Sequence, residues 1–142
     1  MNTFKSIIPA WALLLMFGTA KANQKDDGAA SRSIAINTYV DVMARGKLNG
    51  FTDVLDQGVQ FSVLQGKHIV SYNKKQMLEY LQSVKNIEQD CTTNTSIVES
   101  NEFINVIKVD MHFSSGFVRS NYVTLANNGS GWKIINVYSV FN

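Results

Sequence analysis

Cysteine is almost missing from this chain. Cys91 is the only one in 142 residues, so no disulfide can close within the chain and a buried core has to hold the fold. No base stands beside Cys91 in sequence, which makes it an inert strand residue rather than a reactive thiol. Histidine is nearly as sparse. His68 and His112 are the only two, and no Cys/His cluster has zinc-ligand spacing. A Ser/His/Asp order and a glycine-rich phosphate loop are also missing. Neither a metal nor a cofactor is expected. Charged residues make up only 17% of the chain and apolar ones 45%, a balance that favours a packed core over disorder. No basic run or basic stripe with interleaved aromatics occurs, so nucleic acid is not an expected partner. No repeat, low-complexity tract or linker divides the chain, and its length suits one domain.

One long apolar run is present, and it lies at the start. Lys5 gives a short positive region, Ile7–Phe17 an apolar stretch, and Ala20–Ala22 an A-x-A cleavage pattern. This order predicts a secretory signal peptide over residues 1–22. The stretch is too short to span ~30 Å of hydrocarbon at ~1.5 Å per residue. The mature protein is therefore expected to be secreted or periplasmic, with no membrane association after cleavage. Lys5 and Lys21 belong to this leader and account for two of the 13 basic residues, leaving 11 against 11 acidic ones. The slight basicity of the chain is that of the leader, and the mature surface exerts no net pull on anions.

Residues 23–28 are polar and read as a flexible lead-in. A domain is expected from Ala29 to Asn142. Ile36, Tyr39, Val40 and Met43 recur with helical spacing and predict a helix over Ala29–Lys47, capped by Ser31 or Ser33 and stopped at Gly46. Leu48–Leu55 predicts a short second helix capped by Asn49, ended by Asp56–Gly58. Val59–Leu64 and His68–Tyr72 alternate as two short strands around a Gln65–Lys67 turn. Asn73 and Gln76 have capping-box spacing ahead of a third helix striped with Met77, Leu78, Leu81 and Val84. Asp90–Ser100 is a threonine-rich strand suited to an edge or a half-exposed face. Three strands follow: Phe103–Phe113, Phe117–Ala126 and Trp132–Phe141, the last two joined by a turn run containing Asn-Gly.

Alternation assigns faces to these strands. Phe103, Asn105, Ile107, Val109, Met111 and Phe113 share one face, and its apolar content makes it the core face. Trp132–Phe141 is apolar on both faces, so both need cover. Helices should cover one. A second copy of the chain is expected on the other, because a monomer rarely exposes a large apolar patch. A homodimer through the sheet follows.

The element order is α+β. The phrase Tyr39–Leu55, where a first helix ends in a Gly-Lys-Leu turn before a short second helix, resembles the opening of the nuclear transport factor 2-like superfamily. Gly131–Ile134, Gly-Trp-Lys-Ile, resembles the phrase that opens that superfamily's last strand. The small secreted bacterial members labelled lumazine-binding are the nearest in appearance. The resemblance covers nearly all of the mature chain. It implies a cone-shaped, curved antiparallel sheet wrapped around the helices, a pocket at the wide end and dimers through the outer face.

The superfamily contains isomerases, dehydratases and cyclase-like enzymes as well as binders, so the fold leaves function open. Ketosteroid-isomerase-like members use a first-helix tyrosine, a strand aspartate as base and a protonated aspartate on a later strand. Tyr39 matches the first by position. The base position falls near Val63, and the second acid near Asn121 or Tyr122, so that activity is not carried over. Asp110 and His112 are the remaining catalytic candidates, ~6.6 Å apart on one strand face, with His112 suited to a general base. The main expectation is a non-catalytic binder of a small flat or apolar ligand. Its walls would come from the helical Tyr39, Met43 and Leu81 with Phe61 and Tyr72 from the hairpin. Val109, Met111, Trp132 and Tyr138 would add the sheet side. The alternatives are a hydratase-, isomerase- or cyclase-like enzyme in the same pocket, and a dimeric interaction module.

Overall fold

The computed structural model describes residues 28–142. The expected signal peptide, and the lead-in up to residue 27, lie outside the described residues. Among the described residues there are three helices and six strands. Helix α1 covers 28–45, α2 Phe51–Val54 and α3 Lys74–Ser83. The strands are β1 Leu55–Gln65, β2 His68–Asn73, β3 Cys91–Ser100, β4 Ile104–Phe113, β5 Val118–Asn127 and β6 Trp132–Phe141.

These form one curved sheet in the order β2-β1-β6-β5-β4-β3, packed on the helices, the α+β architecture expected. The sheet is not wholly antiparallel as expected. β1 and β6 run parallel, because β2 and β3, connected through α3, run in the same direction, which shifts the up-down alternation of β3 to β6 by one step. The threonine-rich strand is an edge, as its composition indicates.

Helix α1 buries Ala35, Tyr39 and Val42, while Ile36, Val40 and Met43 pack at the margin. The apolar stripe is thus rotated slightly from the one expected: small Ala35 lets the helix lie close to the sheet. Ser31 and Ser33 sit inside the helix and do not cap it. The Ser31 hydroxyl instead accepts the Trp132 N–H at 3.1 Å, tying the helix to the start of β6. Gly46 turns α1 off with φ +67°, its N–H bonding the Val42 carbonyl at 3.0 Å. Asn49 is not the cap of α2. Gly50 occupies that position in a left-handed conformation with no side-chain bond, so the short helix is held by burial of Phe51 and Val54. Asp56–Gly58 does not end a helix. It interrupts β1, which starts at Leu55, and Asp56 Oδ2 accepts the Gly58 N–H at 2.8 Å. The capping box of α3 forms as expected, with Asn73 and Gln76 each accepting the other's backbone N–H at 2.9 Å.

A register shift resets the faces of β6. In β5·β6, Thr124 pairs with Asn136 and Leu125 with Ile134, leaving Ile135 as an extra residue. Trp132 and Ile134 face the core before this bulge, and Val137 and Ser139 after it. Strict alternation over Trp132–Phe141 therefore fails, and Tyr138 points to the convex face. In β4 the expected core face holds for Asn105, Val109 and Met111. Phe103 is the exception at 67% exposed, because it precedes the strand.

Candidate functional site

A cavity of about 230 Å³ opens at one end of the sheet. Helix α1 supplies Met43, and α3 supplies Met77, Tyr80 and Leu81. The β1–β2 hairpin adds Val63, Gln65 and Tyr72. The far wall is Arg119, at the start of β5, and Phe141, at the end of β6. Tyr80 and Phe141 are 59% and 47% exposed, so this rim meets solvent.

Register explains how these side chains converge. Val63, Ser139, Asn121 and Val109 form one row of cross-strand partners on the concave face. Phe141, Arg119 and Met111 form the next row towards the rim. The bulge at Ile135 puts Ser139 and Phe141 on the inside.

The polar centre of the site grows from that register. Asn121 is fully buried and Ser139 is 2% exposed. The Asn121 amide donates to the Val109 carbonyl at 3.1 Å, which orients its oxygen towards β6. That oxygen accepts the Ser139 hydroxyl at 2.6 Å and Arg119 Nε at 2.9 Å. Arg119 Nη2 also donates to Ser139 Oγ at 3.4 Å. The guanidinium carbon lies 5.6 Å from the Phe141 ring centroid, a cation–π arrangement. Among the described residues no carboxylate lies within salt-bridge distance of Arg119; the ion pairs are Arg45–Asp41 and Lys108–Asp110.

Tyr39 is buried deeper. Its ring tilts against Phe51 at 6.4 Å, and Phe51 against Phe61 at the same distance. The hydroxyl is inaccessible and finds no hydrogen-bond partner among the described residues. Burial pushes its pKa up to about 12, while the positive charge of Arg119 pulls the other way. The phenol is neutral at every physiological pH.

Of the nine residues expected on the walls, Met43, Tyr72 and Leu81 line this cavity. Tyr39, Phe61 and Val109 belong to the core cluster, and Met111 is buried in the row beside Arg119. Trp132 is at the other end of β6 from Phe141, roughly 30 Å away at ~3.3 Å per residue; there Arg32 stacks over its ring. Tyr138 lies on the convex face, placed there by the bulge. The paired candidates Asp110 and His112 also occupy the convex face of β4, opposite Val109 and Met111. Asp110 accepts the Ser120 hydroxyl at 2.6 Å and pairs with Lys108 at 3.4 Å; His112 is exposed.

Arg119 and Phe141 were not legible as site residues, since nothing local in sequence separates an inward arginine at a strand end from a solvated one. Among the described residues no three His, Cys, Asp or Glu side chains gather in a metal-holding group. Cys91 is half-buried at the start of β3. Burial, and then the neighbouring Asp90, raise its thiol pKa, which disfavours the reactive thiolate.

No protein-family model matches the chain, and no curated protein matches it. Solved structures do. A nuclear transport factor 2-like protein of unknown function from Silicibacter pomeroyi aligns with a TM-score of 0.67 at 14% identity, covering 83% of this chain and 98% of its own. A candidate ketosteroid isomerase from Parabacteroides distasonis aligns at 0.57 and 14% identity, over 75% and 84% of the two chains. A candidate dehydratase of the nuclear transport factor 2-like family from Streptomyces avermitilis aligns at 0.56 and 12%, over 81% and 96%. Likeness at such identities is likeness of fold, and the fold of this chain is nuclear transport factor 2-like.

Proposed function

We propose that this protein is a secreted or periplasmic, non-catalytic binding domain whose cavity receives a small flat or apolar molecule, in the manner of the lumazine-binding members that its sequence resembles. One observation carries this reading. The cavity wall is aliphatic and aromatic, with Gln65, two tyrosines and Arg119 as its polar groups, and contains no carboxylate or imidazole. Such walls suit a ligand pocket with a few orienting groups. General acid–base chemistry needs a titratable group within hydrogen-bond reach of the reacting atom. The resemblance puts the acids of an isomerase near Val63 and near Asn121 or Tyr122, none of which is a carboxylic acid, and Asp110 and His112 face away. The isomerase and dehydratase names of the two structural neighbours are therefore not extended to this chain.

Secretion rests on the composition of residues 1–22. Pairing of two copies rests on the convex face, where Tyr122, Tyr138 and Val140 are only half-buried. Native mass spectrometry of the protein secreted by its own leader tests the reading as a whole. Loss of Met1–Ala22, two copies per particle and a retained small molecule are the expected result. A Met43→Trp variant, folded but with the cavity filled, should lose the retained mass. Undiminished retention would place the ligand elsewhere.

A further inference from the structure

We infer that the molecule held in this cavity carries a carboxylate, and that Arg119 receives it. The inference rests on the binding reading above and narrows it to a ligand class. A guanidinium has five N–H donors in a rigid fork. Nε and one Nη2 donor are taken by Asn121 and Ser139. The remaining donors have no acceptor among the described residues. Both acceptors are neutral, so they orient the guanidinium without neutralising it. The guanidinium is half-buried beside the solvent-meeting rim, so a ligand can reach its free donors, and an anion there would complete them with charge-assisted bonds. No acidic residue does so: none lines the cavity, and none lies within salt-bridge distance of Arg119 among the described residues.

The geometry is also built rather than incidental. Asn121 is anchored through the Val109 carbonyl, and the Phe141 ring flanks the guanidinium. This holds a planar fork in the cavity wall, the shape that pairs with a planar carboxylate in two parallel hydrogen bonds. A phosphoryl group is a poorer match. It carries close to two charges near neutral pH and three acceptor oxygens, and Arg119 is the single cation on the wall. The rest of the ligand meets Met43, Met77, Leu81 and the rings of Tyr72, Tyr80 and Phe141, so its body should be apolar or aromatic. A cavity of about 230 Å³ holds on the order of eight non-hydrogen atoms at a water-sized share of ~30 Å³ each. Benzoate and hexanoate are of that size.

Isothermal titration calorimetry of the purified protein with benzoate, hexanoate, benzamide and phenylphosphonate tests this. Benzoate should saturate one site per chain. Benzamide, which has the same shape without the charge, should bind about tenfold more weakly or worse, the difference between a charge-assisted and a neutral pair. In Arg119→Met, checked for folding by circular dichroism, the preference for benzoate over benzamide should vanish. Equal affinity for benzoate and benzamide in the wild type would overturn the carboxylate while leaving a small-molecule pocket intact. Phenylphosphonate binding tighter than benzoate would overturn it in favour of a phosphoryl ligand. Failure of all four probes at millimolar concentration would also overturn it. A different molecule retained in native mass spectrometry would then show that only this ligand class, and not the pocket, was wrong.

Discussion

The Tyr39 hydroxyl is sealed in the core without a hydrogen-bond partner, under the field of the Arg119 guanidinium. A buried, unpaired hydroxyl forfeits its bond to water, a penalty of about 1–3 kcal/mol. Phenylalanine has the same shape and no such group. Tyr39→Phe should therefore raise stability by about 1 kcal/mol, seen as a higher denaturant midpoint at unchanged slope. A clear loss of stability would mean that the hydroxyl is bonded after all. The pH dependence has a definite sign. The folded pKa of about 12 lies above the ordinary tyrosine value of 10.0, so the unfolded chain releases this proton first. Stability is full below pH 10 and falls between pH 10 and about 12, by roughly 2–3 kcal/mol at ~1.4 kcal/mol per unit. The wild-type minus Tyr39→Phe difference isolates this loss from other titrations, and the variant should lack it.

Gly46 joins α1 to the segment after α3. Its φ is +67°, and a Cβ there would approach the backbone N of Asn86 and of Ile87 to 2.8 Å. Its carbonyl also accepts the Asn86 N–H at 3.0 Å. Gly46→Ala thus combines a left-handed backbone, ~1–2 kcal/mol, with a clash against main chain that cannot swing away. A destabilisation of about 3 kcal/mol or more is expected on these grounds. A thermal midpoint unchanged from wild type would show that the contact is not as tight as described.

Much of this fold was legible, and the failures that matter to the site share a cause. The helix stop at Gly46, the capping box at Asn73 and the edge position of β3 all depend on local chemistry, and local chemistry is what a sequence displays. The α3 stripe succeeded for the same reason: Met77 and Leu81 are both buried. A bulge defeated the face assignment of β6. Ile135 looks like any strand isoleucine, yet it inverts every face after it and sends Tyr138 outward while turning Ser139 and Phe141 in. The site suffered most, because it is assembled from side chains of four strands and two helices. Met43, Tyr72 and Leu81 could be proposed as apolar neighbours of a pocket. Arg119 could not, since its inward direction depends on partners Asn121 and Ser139 in two strands whose register only the fold sets.

Tyr138 now serves as a probe of the other face. It pairs with Tyr122, which pairs with Lys108, and the Lys108 ammonium lies 6.0 Å from the Tyr122 ring centroid. If two copies meet over this row, a charge at its centre must be desolvated in both. Tyr138→Glu should then shift the particle from dimer to monomer by at least tenfold in dissociation constant, about 1.4 kcal/mol. Because the side chain is only half-buried within one chain, folding should survive, as far-ultraviolet circular dichroism would report. An unchanged dimer would remove the convex face from the interface.

Asn121→Asp tests whether Arg119 waits for an anion. The substitution places a carboxylate where the amide oxygen now accepts both Arg119 Nε and the Ser139 hydroxyl. The new oxygen would also face the Val109 carbonyl, where the amide now donates, so some stability is lost, on the order of 1–3 kcal/mol. The gain is an internal counter-ion for the guanidinium. A ligand carboxylate would then compete with a group tethered beside its receptor, at an effective concentration no free acid reaches. Benzoate affinity should fall at least tenfold while benzamide, which never used the charge, changes little. Titration calorimetry on the folded variant decides it. Equal losses for both probes would mean that Asn121 shapes the pocket rather than the charge of Arg119, and benzoate binding as before would mean that the carboxylate of a ligand is not met at Arg119.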